Sequence, residues 1–321
     1  MTRTLRTGGM VRATARPATV APGSRVSADG HPLPEFRAEL RRIPGARNAL
    51  SVASVGAQTA AIMWAAVAWH HPAGYAVAFV LMGRAHAQCL ALMHESAHRL
   101  LFRTRRINDA VGRWVVGAVS FVNVDAYRTA HMAHHREEFG PNEPDLPLYA
   151  NYPVPRASFW RKMRRDATGA TGLRLLRAVL RGVRRDDPRA RRATWRILAV
   201  QGALLGASTV LASPLVYLGL WLAPWLTVWQ VMNRLRAIAE HGGLRADDDR
   251  RTTTHDVRQH ALARLLFVPY RLGWHLAHHA DPGVPFRSLP RFHDELRRAG
   301  WITDAETYPS YRALWRALRT D

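Results

Sequence analysis

The run ALSVASVGAQTAAIMWAAVAW, residues 49–69, contains no charged side chain and is long enough as a helix to cross the hydrocarbon of a bilayer. After His70, His71 and Pro72 a second run, AGYAVAFVLMGRAHAQCLALM at 73–93, is interrupted only by Arg84 and His86. Two further apolar stretches lie at 195–212 and 214–232, the last with Trp221, Trp225 and Trp229 at helical spacing. Such segments satisfy their own backbone only as helices, so the fold class expected is an all-α integral membrane protein. Its four transmembrane helices form two tight hairpins and belong to one domain, residues 34–321. Residues 1–33, rich in Thr, Arg, Ala, Pro and Gly without periodicity, read as a disordered basic tail and lack the apolar core of a secretory signal.

Charge is distributed unevenly. The formal net charge is +22, and the 46 basic residues are nearly all arginine, as a GC-rich coding bias produces. Nucleic acid is therefore not the expected partner, despite the charge. The turns at 70–72 and 213–214 contain no arginine, whereas the tail, the 99–194 segment and the C-terminal third are full of it. The positive-inside rule puts those three on the cytoplasmic side, most simply of a bacterial cell membrane. The lone cysteine, Cys89, excludes an intramolecular disulfide and any paired-cysteine metal or redox site.

Two segments are intermediate. Residues 107–124 are apolar but broken by Asp109 and Arg113, and a full span there would put its flanks on opposite faces; a re-entrant or interfacial segment is expected. Over 173–185, leucine and valine recur with helical period between arginines. This helix lies either on anionic headgroups or on its own domain.

Sixteen histidines are the remaining metal-binding resource. His94 and His98 form HExxH at the inner end of the second span. His131, His134 and His135 form HxxHH, and His275, His278 and His279 form it again. Spacings of three and four put imidazoles on one helical face, near enough to share a metal. His241 lies about two turns beyond the fourth apolar stretch, where Gly242 and Gly243 stop the helix, and is taken as a ninth ligand; the alternative is a surface histidine at a helix end. With two hairpins, every box falls on the cytoplasmic face.

HESAH, HMAHH, AEHGG and HLAHH, in this order through two membrane hairpins, resemble the membrane-bound fatty acid desaturase and hydroxylase family over roughly residues 45–290. The resemblance implies a membrane stem under a cytoplasmic helical cap that holds two iron ions. By it, His94, His98, His131, His134, His135, His241, His275, His278 and His279 are metal ligands. Glu95 departs from many relatives and is expected behind a ligand rather than on the metal, and Asp145 is a candidate for the same supporting role or a turn residue between prolines.

Neutral imidazoles suit Fe(II), and two irons with O2 as co-substrate can attack an unactivated C–H bond, which no side chain does alone. The expected activity is O2-dependent desaturation or hydroxylation of a fatty acyl or lipid-like chain, or alternatively of a terpenoid or polyketide chain. No flavin, cytochrome or ferredoxin module is evident, so electrons come from an external donor such as a ferredoxin. Two other classes compete. HExxH alone is also a zinc metalloprotease signature, but an intramembrane protease leaves both HxxHH boxes unused. A metal carrier predicts polar residues along a membrane path, where only Arg84 and His86 stand.

Overall fold

The computed structural model describes residues 5–10 and 20–321. Among them the chain is helical apart from two pairs of two-residue parallel strands, Val154–Pro155 with Arg319–Thr320 and Asp256–Val257 with Thr307–Tyr308. Four helices are long and apolar enough to cross a membrane: Gly45–Trp69, Pro72–Ala97, Pro188–Leu211 and Pro214–His241. All four expected spans are present, each longer than its apolar stretch. The chain forms two compact units.

The membrane unit comprises Pro44–Arg128 and Arg161–Asn233. Its second, third and fourth spans each begin with an acceptor side chain followed by proline. His71 accepts from Ala73 N, Asp187 from Arg189 N and Ala190 N, and Ser213 from Leu215 N. An N-cap acceptor answers one of the orphan N–H groups, and proline supplies the helical φ where no N–H is needed. His70, with φ 47°, closes the first span just before the second begins.

Burial separates the spans. Only 17% of the apolar window of the first and third helices is buried, against 61% of the second. Helices that are apolar all round and face outward this extensively require hydrocarbon as solvent. The second span is the centre of the unit: Ala78, Met82 and Ala85 pack with Ala66, Tyr217, Leu220 and Trp221. His86 fills this core, its Nε2 3.1 Å from the Trp221 carbonyl oxygen. Arg84 donates to Gln58 and Gln88, so its charge stays within the bundle with polar partners.

The fourth span is irregular. Leu218–Leu222 is π-helical, and the helix breaks at Thr227 (φ −121°, ψ −79°) before resuming as Val228–His241. Pro224 cannot donate to the preceding turn, which accounts for the widened helix around it. Helix Ala170–Arg181 lies against this break; a Cβ on Gly172 would sit 2.4 Å from the Leu226 carbonyl oxygen. Leu176 and Val179 of the same helix pack on Phe121, Ile197, Trp225 and Trp229. The arginine-rich helix therefore docks on its own unit.

Residues 107–124 form no candidate span. They fold as Arg105–Ala110, a π-helical turn Val111–Gly117 and a 3₁₀ turn Ala118–Ser120, ending at Phe121 with φ 61°. Asn108 Nδ2 donates to the Ser96 carbonyl, and Arg128 donates to the Ala97 carbonyl and to Asp109. These bonds tie the segment to the C-terminal end of the second span.

The second unit contains Thr129–Trp160, Arg234–Asp321 and the described residues up to Ile43. Part of the expected disordered tail lies outside the described residues. The described part is more ordered than its composition predicts: Gly8 N donates to the Leu244 carbonyl, Met10 N to that of Gly243, and Val26 bridges Pro32. Buried apolar groups explain this, because Val26 is 2% exposed and Trp301 Nε1 donates to the Ala28 carbonyl. Helix Pro34–Leu40 follows, and Arg37 and Arg41 both bond Asp281, at 2.8 Å each.

Candidate metal centre

Three helical segments of the second unit carry seven of the nine expected ligands. His131, His134 and His135 lie on helix Val124–Arg136, where offsets of three and four turn all three rings to one side. His241 is the last residue of helix Val228–His241; a Cβ on Gly242 would meet the Ile238 carbonyl oxygen at 2.4 Å, and Gly243 has φ 78°, so only glycines allow the chain to leave there. His275, His278 and His279 occupy the short helix His275–Ala280, every residue of which is buried.

The rings converge through Nε2. His135 Nε2 is 3.1 Å from that of His131 and 3.0 Å from that of His278. His275 Nε2 is 3.1 Å from that of His241 and 3.0 Å from that of His279. His134 joins the second group, with ring centroids 4.8 Å from His241 and 5.1 Å from His279.

The outward nitrogens explain this orientation. His134 Nδ1 donates to Glu143 at 2.9 Å, His279 Nδ1 to Glu138, and His241 Nδ1 to the Thr253 carbonyl at 2.8 Å. A ring whose Nδ1 holds the proton presents a bare lone pair at Nε2. Ligand atoms of His134, His241 and His279 all lie within 4.8 Å of one another. Three lone pairs facing one buried point repel one another, and a cation placed among them converts that repulsion into coordination. Acceptors that fix the tautomer from behind are the usual arrangement around metal-bound imidazole. On the chemistry of its donors, the cluster fits a divalent transition metal.

Electrostatics agree with this reading. Burial, and then the neighbouring imidazoles of His279, His241 and His278, hold His275 well below the ordinary histidine range, in the neutral form that binds metal. At His134, burial opposes the charged form, but the hydrogen bond and charge of Glu143 outweigh it and raise the ring's affinity for a proton. Glu138 and Glu240 in turn pair with Arg250 and Arg236, both at 2.7 Å.

His94 and His98 lie in the membrane unit, at the end of the second span, with ring centroids 4.8 Å apart. Glu95 is buried beside them on the same helix. Glu143 supports His134 from behind, and its carboxylate also accepts from Asp145 N at 3.0 Å. Asp145 acts on His134 only through its charge, and burial raises its own pKa. Glu138 and Glu240 were not anticipated; their one signal is position, three residues after His135 and directly before His241.

Known proteins agree with the geometry. The fatty acid desaturase family model matches residues 68–315. A dihydrorhizobitoxine desaturase of Bradyrhizobium elkanii is 25% identical over 228 residues, 66% of this chain. The match takes in 64% of that relative's own length, less than two thirds. Four helices long and apolar enough to cross a membrane, histidine clusters able to hold metal and a family match over most of the sequence lead to one conclusion: this chain belongs to the fatty acid desaturase family.

Proposed function

We propose that this protein is an O2-dependent diiron enzyme that desaturates, or hydroxylates, a fatty acyl or lipid-like chain in the membrane. The observation that carries the reading is the nest of His134, His241 and His279, each ring anchored from behind so that its Nε2 lone pair faces a common point. His131, His135 and His278 supply a second set of imidazoles. In this reading His94 and His98 are metal ligands as well, on the strength of their motif and the family match, and Glu95 stands behind them.

Iron bound among these imidazoles supplies the O2-dependent removal of hydrogen from an unactivated C–H bond. The residues of this chain hold the rings in register, keep His275 neutral and screen the site from water. Glu143 and Glu138 fix two tautomers, and the burial of His275 resists its protonation. Electrons come from a separate protein, a ferredoxin or similar carrier, for which the arginine-rich, cytoplasm-facing surface is the docking face. A second reading of the substrate comes from the relative, whose name gives dihydrorhizobitoxine as what it desaturates; a secondary metabolite then replaces the acyl chain at the same centre.

Metal analysis of the purified protein and mass spectrometry of lipids and metabolites from expressing cells test the proposal together. Two irons per chain with products two hydrogens lighter, or one oxygen heavier, than their precursors are expected. One zinc per chain with no such products would overturn it.

A further inference from the structure

In the membrane unit, a cleft of about 330 Å³ is lined by Arg105, Arg106, Asp109, Arg113, Trp114 and Arg196. Its charges do not balance internally. Asp109 is taken by Arg128, at 2.6 Å, and Arg113 by Asp125, with two bonds of 2.8 and 2.9 Å. Arg105, Arg106 and Arg196 form no ion pair with a carboxylate among the described residues, Asp125 reaching Arg196 only through its charge. Arg196 Nε is buried and lacks any acceptor, and its guanidinium lies over the Trp114 ring at 5.3 Å. Three uncompensated guanidinium groups around one concavity, one with a buried donor unanswered, describe a site short of an anion.

The rim says which anion. Ile107, Trp114, Val115 and Trp195 are each about half exposed or more. Arg196 is the second residue of the apolar stretch 195–212, at the start of the third span. Exposed tryptophans and aliphatic side chains beside arginines at a span's end belong at the headgroup level of a bilayer. Guanidinium forks match phosphate oxygens in pairs, whereas a single carboxylate does not occupy three of them.

We infer that this cleft binds the phosphodiester headgroup of an anionic phospholipid, gripped by Arg105, Arg106 and Arg196 with the acyl chains running along the exposed face of the third span. The site is distinct from the histidine centre and rests on the membrane unit alone.

Native mass spectrometry of the full-length protein, released from nanodiscs of mixed phosphatidylglycerol and phosphatidylcholine, tests it. The protein should retain phosphatidylglycerol in preference to phosphatidylcholine. Arg196→Gln should weaken retention about fivefold, and the double substitution Arg105→Gln, Arg106→Gln by more, each arginine at a membrane surface contributing comparably. The double variant alters only exposed side chains without ion-pair partners, so it reports on binding even where Arg196→Gln disturbs folding. Equal retention of both lipids, unchanged retention in the double variant, or an equal loss from Arg177→Gln, Arg181→Gln on the neighbouring helix would overturn the assignment. Displacement of the lipid by excess inorganic phosphate alone would give the site to a soluble phosphate and overturn it as well.

Discussion

The two units are held by opposite means. In the membrane unit, buried polar side chains are few and find partners in neighbouring backbone and side chains: Gln201 donates to the Ala118 and Val119 carbonyls and accepts from Tyr217, and Asn48 donates to the Leu101 carbonyl. Its core is alanine, methionine and tryptophan. In the second unit, seven imidazoles and the carboxylates Glu138, Glu143 and Glu240 are buried together. Buried polar groups are tolerable when every lone pair and proton has a partner, and in the proposed reading a cation serves the inward imidazole nitrogens. These bonds of the membrane unit need no ion, while in the proposed reading the histidine unit is complete only when loaded.

The sharpest way to break this contrast is to remove a ligand. His134→Ala or His241→Ala should abolish turnover and lower the metal content together, as read by product mass spectrometry and elemental analysis. Normal turnover in either variant would end the ligand assignment. Stripping the metal with a chelator should next destabilise the histidine unit by the binding free energy it loses, while helicity of the spans persists. Hydrogen exchange, rising over 129–160 and 234–321 and unchanged over 45–90, is the expected pattern. Simultaneous loss of protection in both units would erase the distinction.

Glu143→Gln probes the anchoring itself. It frees His134 to adopt the other tautomer and should weaken metal affinity roughly 10–100-fold, measured by competition with a chromophoric chelator, with little change in thermal unfolding of the spans. In the membrane unit, Gly172→Ala should cost about 1–3 kcal/mol, because its methyl group meets Leu226 backbone rather than a movable side chain. Metal content should not change in that variant.

The smallest effect concerns acid. Burial raises the pKa of Asp281, but Arg37 and Arg41 outweigh this and hold it below the ordinary carboxylate range. A carboxyl whose folded pKa is depressed contributes its full stability above the unfolded value near 3.9, and that contribution is lost as pH falls through the folded value. Unfolding titrations should therefore show a shallower decline below pH ~4 in Asp281→Asn than in the parent. Equal slopes would mean that the pair contributes nothing.

The spans were legible because a bilayer imposes length and apolarity on each of them separately. Their ends were not: the third helix starts at Pro188, ahead of the apolar stretch, since Asp187 caps it and arginines extend it without any apolar signal. The break at Thr227 had only Pro224 to announce it. The histidine boxes were readable because their chemistry sits at fixed helical offsets within a few residues. Glu138, Glu143 and Glu240 were not, because an acid in a polar stretch looks like any solvated surface residue until the fold turns it inward. Residues 20–33 hid their order similarly: Val26 alone carries little pattern, and what holds the segment is Trp301, far along the chain.

The preset tautomers of His134, His241 and His279 have a cost in discrimination. In the proposed reading, a pocket of imidazole nitrogens ranks divalent cations by their intrinsic appetite for nitrogen, and on that scale copper and zinc outrank ferrous iron. Which element fills the pocket is then decided by what the cell makes available, and protein prepared under iron limitation should emerge well folded, fully occupied and inert.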